Sequence, residues 1–181
     1  YTDTDFKESG ESDMPLEKEF KFLIDYPDEA ELASYPGSDC SQIDQVYLIS
    51  PQGSLRIRKR EWASGQIEYT KTCKYYVRAH VRQEEEQVID ESTYQALLLQ
   101  ADPACRVLQK RRWCVPYAGL VYEIDLYPFW HDRAVLEVEV EREDQPIPLA
   151  PFVRYVRDIS QDRRYSNYNL SRLDFNPCMG L

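Results

Sequence analysis

Three charged side chains near the start of the chain, Glu17, Glu19 and Lys21, are spaced two residues apart. In a β-strand that spacing sends all three to one face, with roughly 6–7 Å of rise between neighbours. Two carboxylates held so close repel unless a cation lies between them. A hard divalent ion such as Mg2+ suits that gap. It takes one or two carboxylates and completes its shell with water and phosphate oxygens.

The same device recurs down the chain. Arg56 and Arg58 share one face while Leu55 and Ile57 share the other. Thr70, Thr72 and Lys74 are in phase, as are Arg82, Glu84 and Glu86. Lys110 pairs with Arg112, Glu123 with Asp125, and Glu137 with Glu139 and Glu141. A sheet with one wet face also alternates in this way. Such a face usually mixes small and charged polar residues, whereas here like charges recur at every second position. Like charges set close together destabilise a sheet. A metal ion and a polyanion would neutralise them.

Strands are expected near 16–24, 43–50, 54–61, 66–76, 80–89, 105–115, 120–127 and 134–142. Pro51 to Gly53 and Ser64-Gly65 supply turns. A short helix capped by Asp28 follows the first strand. A second helix spans Ser92 to Ala101, with Tyr94, Leu97, Leu98 and Ala101 on one side, and a third is expected over 150–157. The fold class is therefore α+β. Eight antiparallel strands close into a barrel wide enough for one small ligand. Phe20, Phe22, Ile57, Ile124, Leu126, Leu136 and Val138 lie opposite the charges and pack against helices outside, so the charged face lines the lumen.

The 181 residues suffice for one domain with a core, preceded by an acidic, aliphatic-poor lead at 1–13 and followed by a tail at 174–181. A first residue other than Met reads as a chain cut from a longer protein. The net charge of −10 argues against nucleic acid as a partner. Five cysteines without a C-x-x-C or regular spacing read as reduced thiols in a cytoplasmic protein. No apolar run approaches the ~20 residues a membrane span requires. His80 and His131 lack zinc-ligand company. With six glycines and no Gly-rich phosphate loop, phosphate would be gripped by side-chain cations.

These residues resemble the CYTH family, the triphosphate tunnel metalloenzymes. Glu17, Glu19 and Lys21 match its E-x-E-x-K motif, and the pairs at 56/58, 72/74, 82/84/86, 110/112, 123/125 and 137/139 follow in order. Arg164-Tyr165-Ser166-Asn167 with Leu170 is similar to its C-terminal segment, so the likeness covers 16–172 of a 14–173 domain. The chain departs from the pattern at Tyr75-Tyr76, where the family often has Gly after the lysine. It departs again at the family's C-terminal plug helix, which has no clear match here, with Arg172 as the candidate stand-in for its basic residue.

The resemblance implies a linear triphosphate or polyphosphate bound in a tunnel with Mg2+ or Mn2+. It implies that Glu17, Glu19, Glu137 and Glu139 hold the metal, with Glu123 and Asp125 completing a metal site or orienting water. It implies that Lys21, Arg56, Arg58, Lys74, Arg82, Lys110 and Arg112 grip phosphate, Arg through bidentate forks. Lys74 is the candidate general acid or substrate trigger. Three activities stay open: hydrolysis of tripolyphosphate or a small organic triphosphate, cyclisation of ATP, and binding without turnover. In the last case the chain would serve a larger protein, such as one with an upstream nucleotide-binding domain.

Overall fold

The computed structural model describes residues 16–51, 54–78 and 81–178, with Leu16 and Arg82 described by backbone alone. The acidic lead, the Pro51 turn beyond Pro51 itself, and His80 lie outside those residues. The alternating segments form strands β1 (Leu16–Asp25), β2 (Asp39–Tyr47), β3 (Ser54–Trp62), β4 (Ile67–Arg78), β5 (Val81–Ile89), β6 (Leu108–Tyr117), β7 (Leu120–Leu126), β8 (Arg133–Glu139) and β9 (Tyr155–Asp158). Helices α1 (Glu29–Ser34), α2 (Glu91–Leu98) and α3 (Asn167–Ser171) are short. Asp28 caps α1 by accepting from Ala30 N at 2.9 Å, and Asp90 caps α2 by accepting from Thr93 N at 2.7 Å.

All nine strands join one antiparallel sheet in the order β5-β4-β3-β2-β6-β7-β8-β1-β9. β1 is shared by three partners. Glu19 to Asp25 pair with β8, Leu16 to Lys18 pair with Val81 to Gln83 of β5, and Phe22 to Ile24 pair with β9. The sheet curls on itself: Lys74 of β4 reaches both Glu84 of β5 and Glu17 of β1, each at 2.6 Å.

Two expectations are corrected. The strand count is nine rather than eight, and 150–157 is not a helix. Pro148 and Pro151 remove backbone donors that a helix there would use, and Tyr155 to Asp158 add to β1 instead. Phe152 and Val153 are buried, whereas Val156 is 53% exposed.

The apolar faces point outward and are covered. Ile124, Leu126, Leu136 and Val138, with Phe20 and Phe22, pack against Leu32 of α1 and against Phe152 and Val153. Ile57 packs with Val46 and Leu48 under Tyr94, Leu97 and Leu98 of α2. Glu29 of α1 bonds Arg111 and accepts from Trp113 Nε1 at 2.9 Å, fixing that helix to β6. With the hydrophobic effect satisfied outside, the charged faces turn inward. Among the described residues no helix is long and apolar enough to cross a membrane, and the five cysteines are free.

Candidate functional site

The inner face divides into three groups. The first is a buried ion network on β6, β7, β8 and β1. Arg112 donates from Nε to Asp125 Oδ1 at 2.6 Å and from Nη2 to Asp125 Oδ2 at 2.8 Å, and it also bonds Glu123 and Glu137. Lys110 donates to Asp125 Oδ2 at 2.6 Å, and Lys21 lies 2.6 Å from Glu137. Burial alone would push the Glu137 and Asp125 carboxyls up. For Glu137, Lys21, Arg112 and Lys110 outweigh it and hold the group well below the usual carboxylate range; for Asp125, Arg112 and Lys110 outweigh it and lower the group from its ordinary value. Burial and the neighbouring Arg112 pull the Lys110 ammonium down to about 8, in spite of Asp125.

The second group is carboxylate-rich. Glu19 lies opposite Glu139 in the β1–β8 register. Glu17, Glu19 and Glu139 all have raised carboxyl pKa values. Burial is the main cause for each. Glu84 adds to it at Glu17, Glu137 at Glu19, and Glu17 with Glu123 at Glu139. Lys74 offsets part of this at Glu17, and Lys21 does so at Glu19 from 3.7 Å.

The third group is cationic and faces the second from β3 and β4. Arg56 and Arg58 each keep a buried Nε with no hydrogen-bond partner. Arg58 Nη2 lies 3.2 Å from Glu86, which also accepts from Thr72 at 2.8 Å. Burial and Arg56 depress the Arg58 guanidinium, whereas Glu19, Glu17 and Glu84 outweigh burial at Lys74 and keep its ammonium protonated. A buried donor without an acceptor is costly. An anion at Arg56 and Arg58 would relieve that cost.

Among the described residues no three acidic, histidine or cysteine side chains are gathered as a metal cage. Their chemistry nonetheless suits a hard divalent ion. Glu17, Glu19 and Glu139 offer oxygen donors on adjacent strands, and their shared repulsion is what such an ion removes.

The structure thus brings Glu17, Glu19, Lys21, Arg56, Arg58, Lys74, Lys110, Arg112, Glu123, Asp125, Glu137 and Glu139 to one interior. The Arg82 side chain lies outside the described residues. Arg172 does not reach the interior; it pairs with Asp174 on the surface at 2.9 Å. Four inward residues escaped the sequence reading. Gln45 donates to Tyr47 Oη at 2.8 Å, Tyr127 donates to Asn167 Oδ1 at 2.6 Å, and Arg60 donates to Ser41 Oγ at 2.9 Å. Arg60 continues the phase of Arg56 and Arg58, and that was the available signal. Tyr168 of α3 meets the Tyr47 ring edge-on at 5.2 Å. Along β3 the Arg56 position is paired with Tyr47, and Arg60 lies beyond Arg58 on the far side.

Two solved structures of the protein NE1496 superpose on the chain with a TM-score of 0.50. One is described as a hypothetical protein (27% identity over 86% of this chain and 97% of that one). The other is described as an inorganic triphosphatase (26% identity, over 86% and 93%). The fold is of the CYTH type. PH1012 from Pyrococcus horikoshii OT3 aligns at 18% identity over 71% of this chain and 81% of its own, with a TM-score of 0.48, too loosely to add weight. No protein-family model matches the chain, and no curated protein does. Of the E-x-E-x-K residues on β1, Glu17 and Glu19 lie in the carboxylate-rich group, and Lys21 joins the buried network through Glu137.

Proposed function

We propose that the curled sheet acts as a tunnel, sealed by the β1–β5 seam, that binds a linear triphosphate with Mg2+ or Mn2+ and hydrolyses one of its phosphoanhydride bonds. One observation carries this reading. Arg56 and Arg58 hold unpartnered buried donors in the same interior as carboxylates that repel one another. An elongated polyanion with a divalent cation satisfies both walls at once. The likeness to NE1496, described as an inorganic triphosphatase, supports it.

In this reading Glu17, Glu19 and Glu139 hold the metal, which supplies charge neutralisation and an oriented water. Arg56, Arg58 and Lys74 grip phosphate oxygens. Lys74 stays protonated, so its part in catalysis is to stabilise charge building on the leaving phosphate. Asp125 and Glu137 aim Lys110, Arg112 and Lys21 at the substrate path rather than holding metal. Lys110 is the interior amine whose proton moves most easily.

Phosphate release from tripolyphosphate with Mg2+ or Mn2+ tests the proposal, with Glu19→Gln expected to abolish turnover while the protein stays folded. Cyclic AMP formed from ATP would instead mark a cyclase, and tight binding without turnover a sensing module. Undiminished turnover in a Glu17→Gln, Glu19→Gln double variant would sink the site assignment.

A further inference from the structure

Two interior cations are clamped by carboxylates at least as buried as they are. Lys74 lies 2.6 Å from both Glu17 and Glu84, and Arg112 donates to Asp125 at 2.6 and 2.8 Å. Arg58 is held differently. Among the described residues its one carboxylate partner is Glu86 of β5, which Nη2 reaches at 3.2 and 3.4 Å. Those distances exceed the about 2.7–2.9 Å of a well-made charge-assisted bond. The partners also differ in burial: the Arg58 side chain is 12% exposed and that of Glu86 37%.

Glu86 takes a second donor from the same wall. Thr72 lies opposite it in the β4–β5 register, is fully buried, and donates to Oε2 at 2.8 Å. That same oxygen is the one 3.2 Å from Arg58 Nη2. One anionic oxygen therefore collects an arginine N–H and a threonine hydroxyl, as an oxygen of a phosphate would there. The hold is loose enough to leave Arg58 Nε unpartnered.

Resting on the tunnel reading above, we propose that Glu86 is a built-in placeholder. Its carboxylate stands in for a substrate phosphate on Arg58 and Thr72 in the free protein, and turns out to water when the triphosphate arrives. Arg58 and Thr72 are buried and stay in place, passing from one anion to the other. In the free protein Glu86 offsets the repulsion that Arg56 exerts on Arg58. It then competes with the ligand, whose charge has the same sign, so it sets affinity and needs no metal to do so.

The test is calorimetric titration of the full chain with tripolyphosphate, in Mg2+ and again in EDTA, for the native protein, Glu86→Gln and Glu85→Gln. A glutamine oxygen accepts the same two bonds without the charge, so free Glu86→Gln should melt close to the native temperature. It should bind tripolyphosphate roughly three- to tenfold more tightly in both media, the range set by releasing one partly exposed ion pair. Glu85 turns to the outer face beside Lys71 and Gln87, so Glu85→Gln makes the same change in net charge without touching Arg58. Its affinity should match the native. In an Arg58→Ala background the gain from Glu86→Gln should disappear. Equal gains from Glu86→Gln and Glu85→Gln would reduce the effect to net charge and overturn the placeholder. A gain that survives Arg58→Ala would overturn it too. So would unchanged or weaker binding by Glu86→Gln, and a loss confined to Mg2+ would make Glu86 a metal ligand instead. If tripolyphosphate binds neither the native protein nor any variant, the tunnel reading fails and takes the placeholder with it.

Discussion

Arg58 and Lys59 are neighbours with opposite fates. Arg58 faces the interior with an unpartnered Nε, while Lys59 points outward and pairs with Glu61 at 3.3 Å. Arg58→Ala should weaken tripolyphosphate binding by about 1.5–3 kcal/mol, the worth of a charged hydrogen bond in a partly desolvated site. Lys59→Ala should leave the isotherm nearly unchanged, and equal losses would mean that the strand register is wrong. Lys110 adds a pH dependence. Its ammonium is depressed to about 8, so the free protein carries that charge below pH 8 and sheds it above. Tripolyphosphate affinity should therefore decline as pH rises through about 8. Lys110→Arg, which stays charged, should flatten the decline. A decline unchanged in that variant would assign it to another group.

Between β1 and β8 the like-charged pair Glu19 and Glu139 sets a local cost on folding. A carboxyl whose folded pKa is raised binds its proton more readily in the folded state. Its favourable contribution is complete below the unfolded value and is lost as pH rises through the folded value. At pH 7 the repulsion is in force, so Glu139→Gln should stabilise the metal-free protein by roughly 0.2–1 kcal/mol. For a chain of this length that is up to ~4 °C in a melting scan. The gain should vanish near pH 4 and shrink when Mg2+ is added; a lower melting temperature at pH 7 would contradict the pairing. The strands themselves were legible from alternation, and so were the inward faces of β1, β3, β4, β6, β7 and β8, because charge at every second residue fixes both period and side. β9 was not, since Phe152, Val153 and Val156 carry a helical spacing that the flanking prolines and pairing with β1 override. Gln45, Tyr47 and Tyr127 were missed because uncharged polar and aromatic residues on an inner face look no different in sequence from core. The pairing of Asp125 and Glu137 with Arg112 was not legible either, because spacing alone cannot rank which carboxylates an arginine will hold.

For the molecule as a whole, ligand length should govern stability, because only the folded sheet assembles the opposed walls. In a thermal-shift series with Mg2+, tripolyphosphate should give the largest rise among phosphate, pyrophosphate, tripolyphosphate and ATP. At a hundred times the dissociation constant the gain is about 2.7 kcal/mol, or roughly 5–11 °C. Equal shifts for phosphate and tripolyphosphate would reduce the effect to nonspecific anion binding. The contact of α3 with Tyr47, and the cluster of Tyr127, Trp130, Ile159, Tyr165 and Leu170 behind it, bear on traffic. A corridor with both doors open lets product leave ahead of the next substrate. Were the proposed tunnel stopped behind Tyr47, it would work as a blind alley: whatever goes in would have to back out the same way, and the fragment seated deepest would depart last. Turnover would then be paced by the retreat of the inner fragment, which occupies the very berth its successor needs.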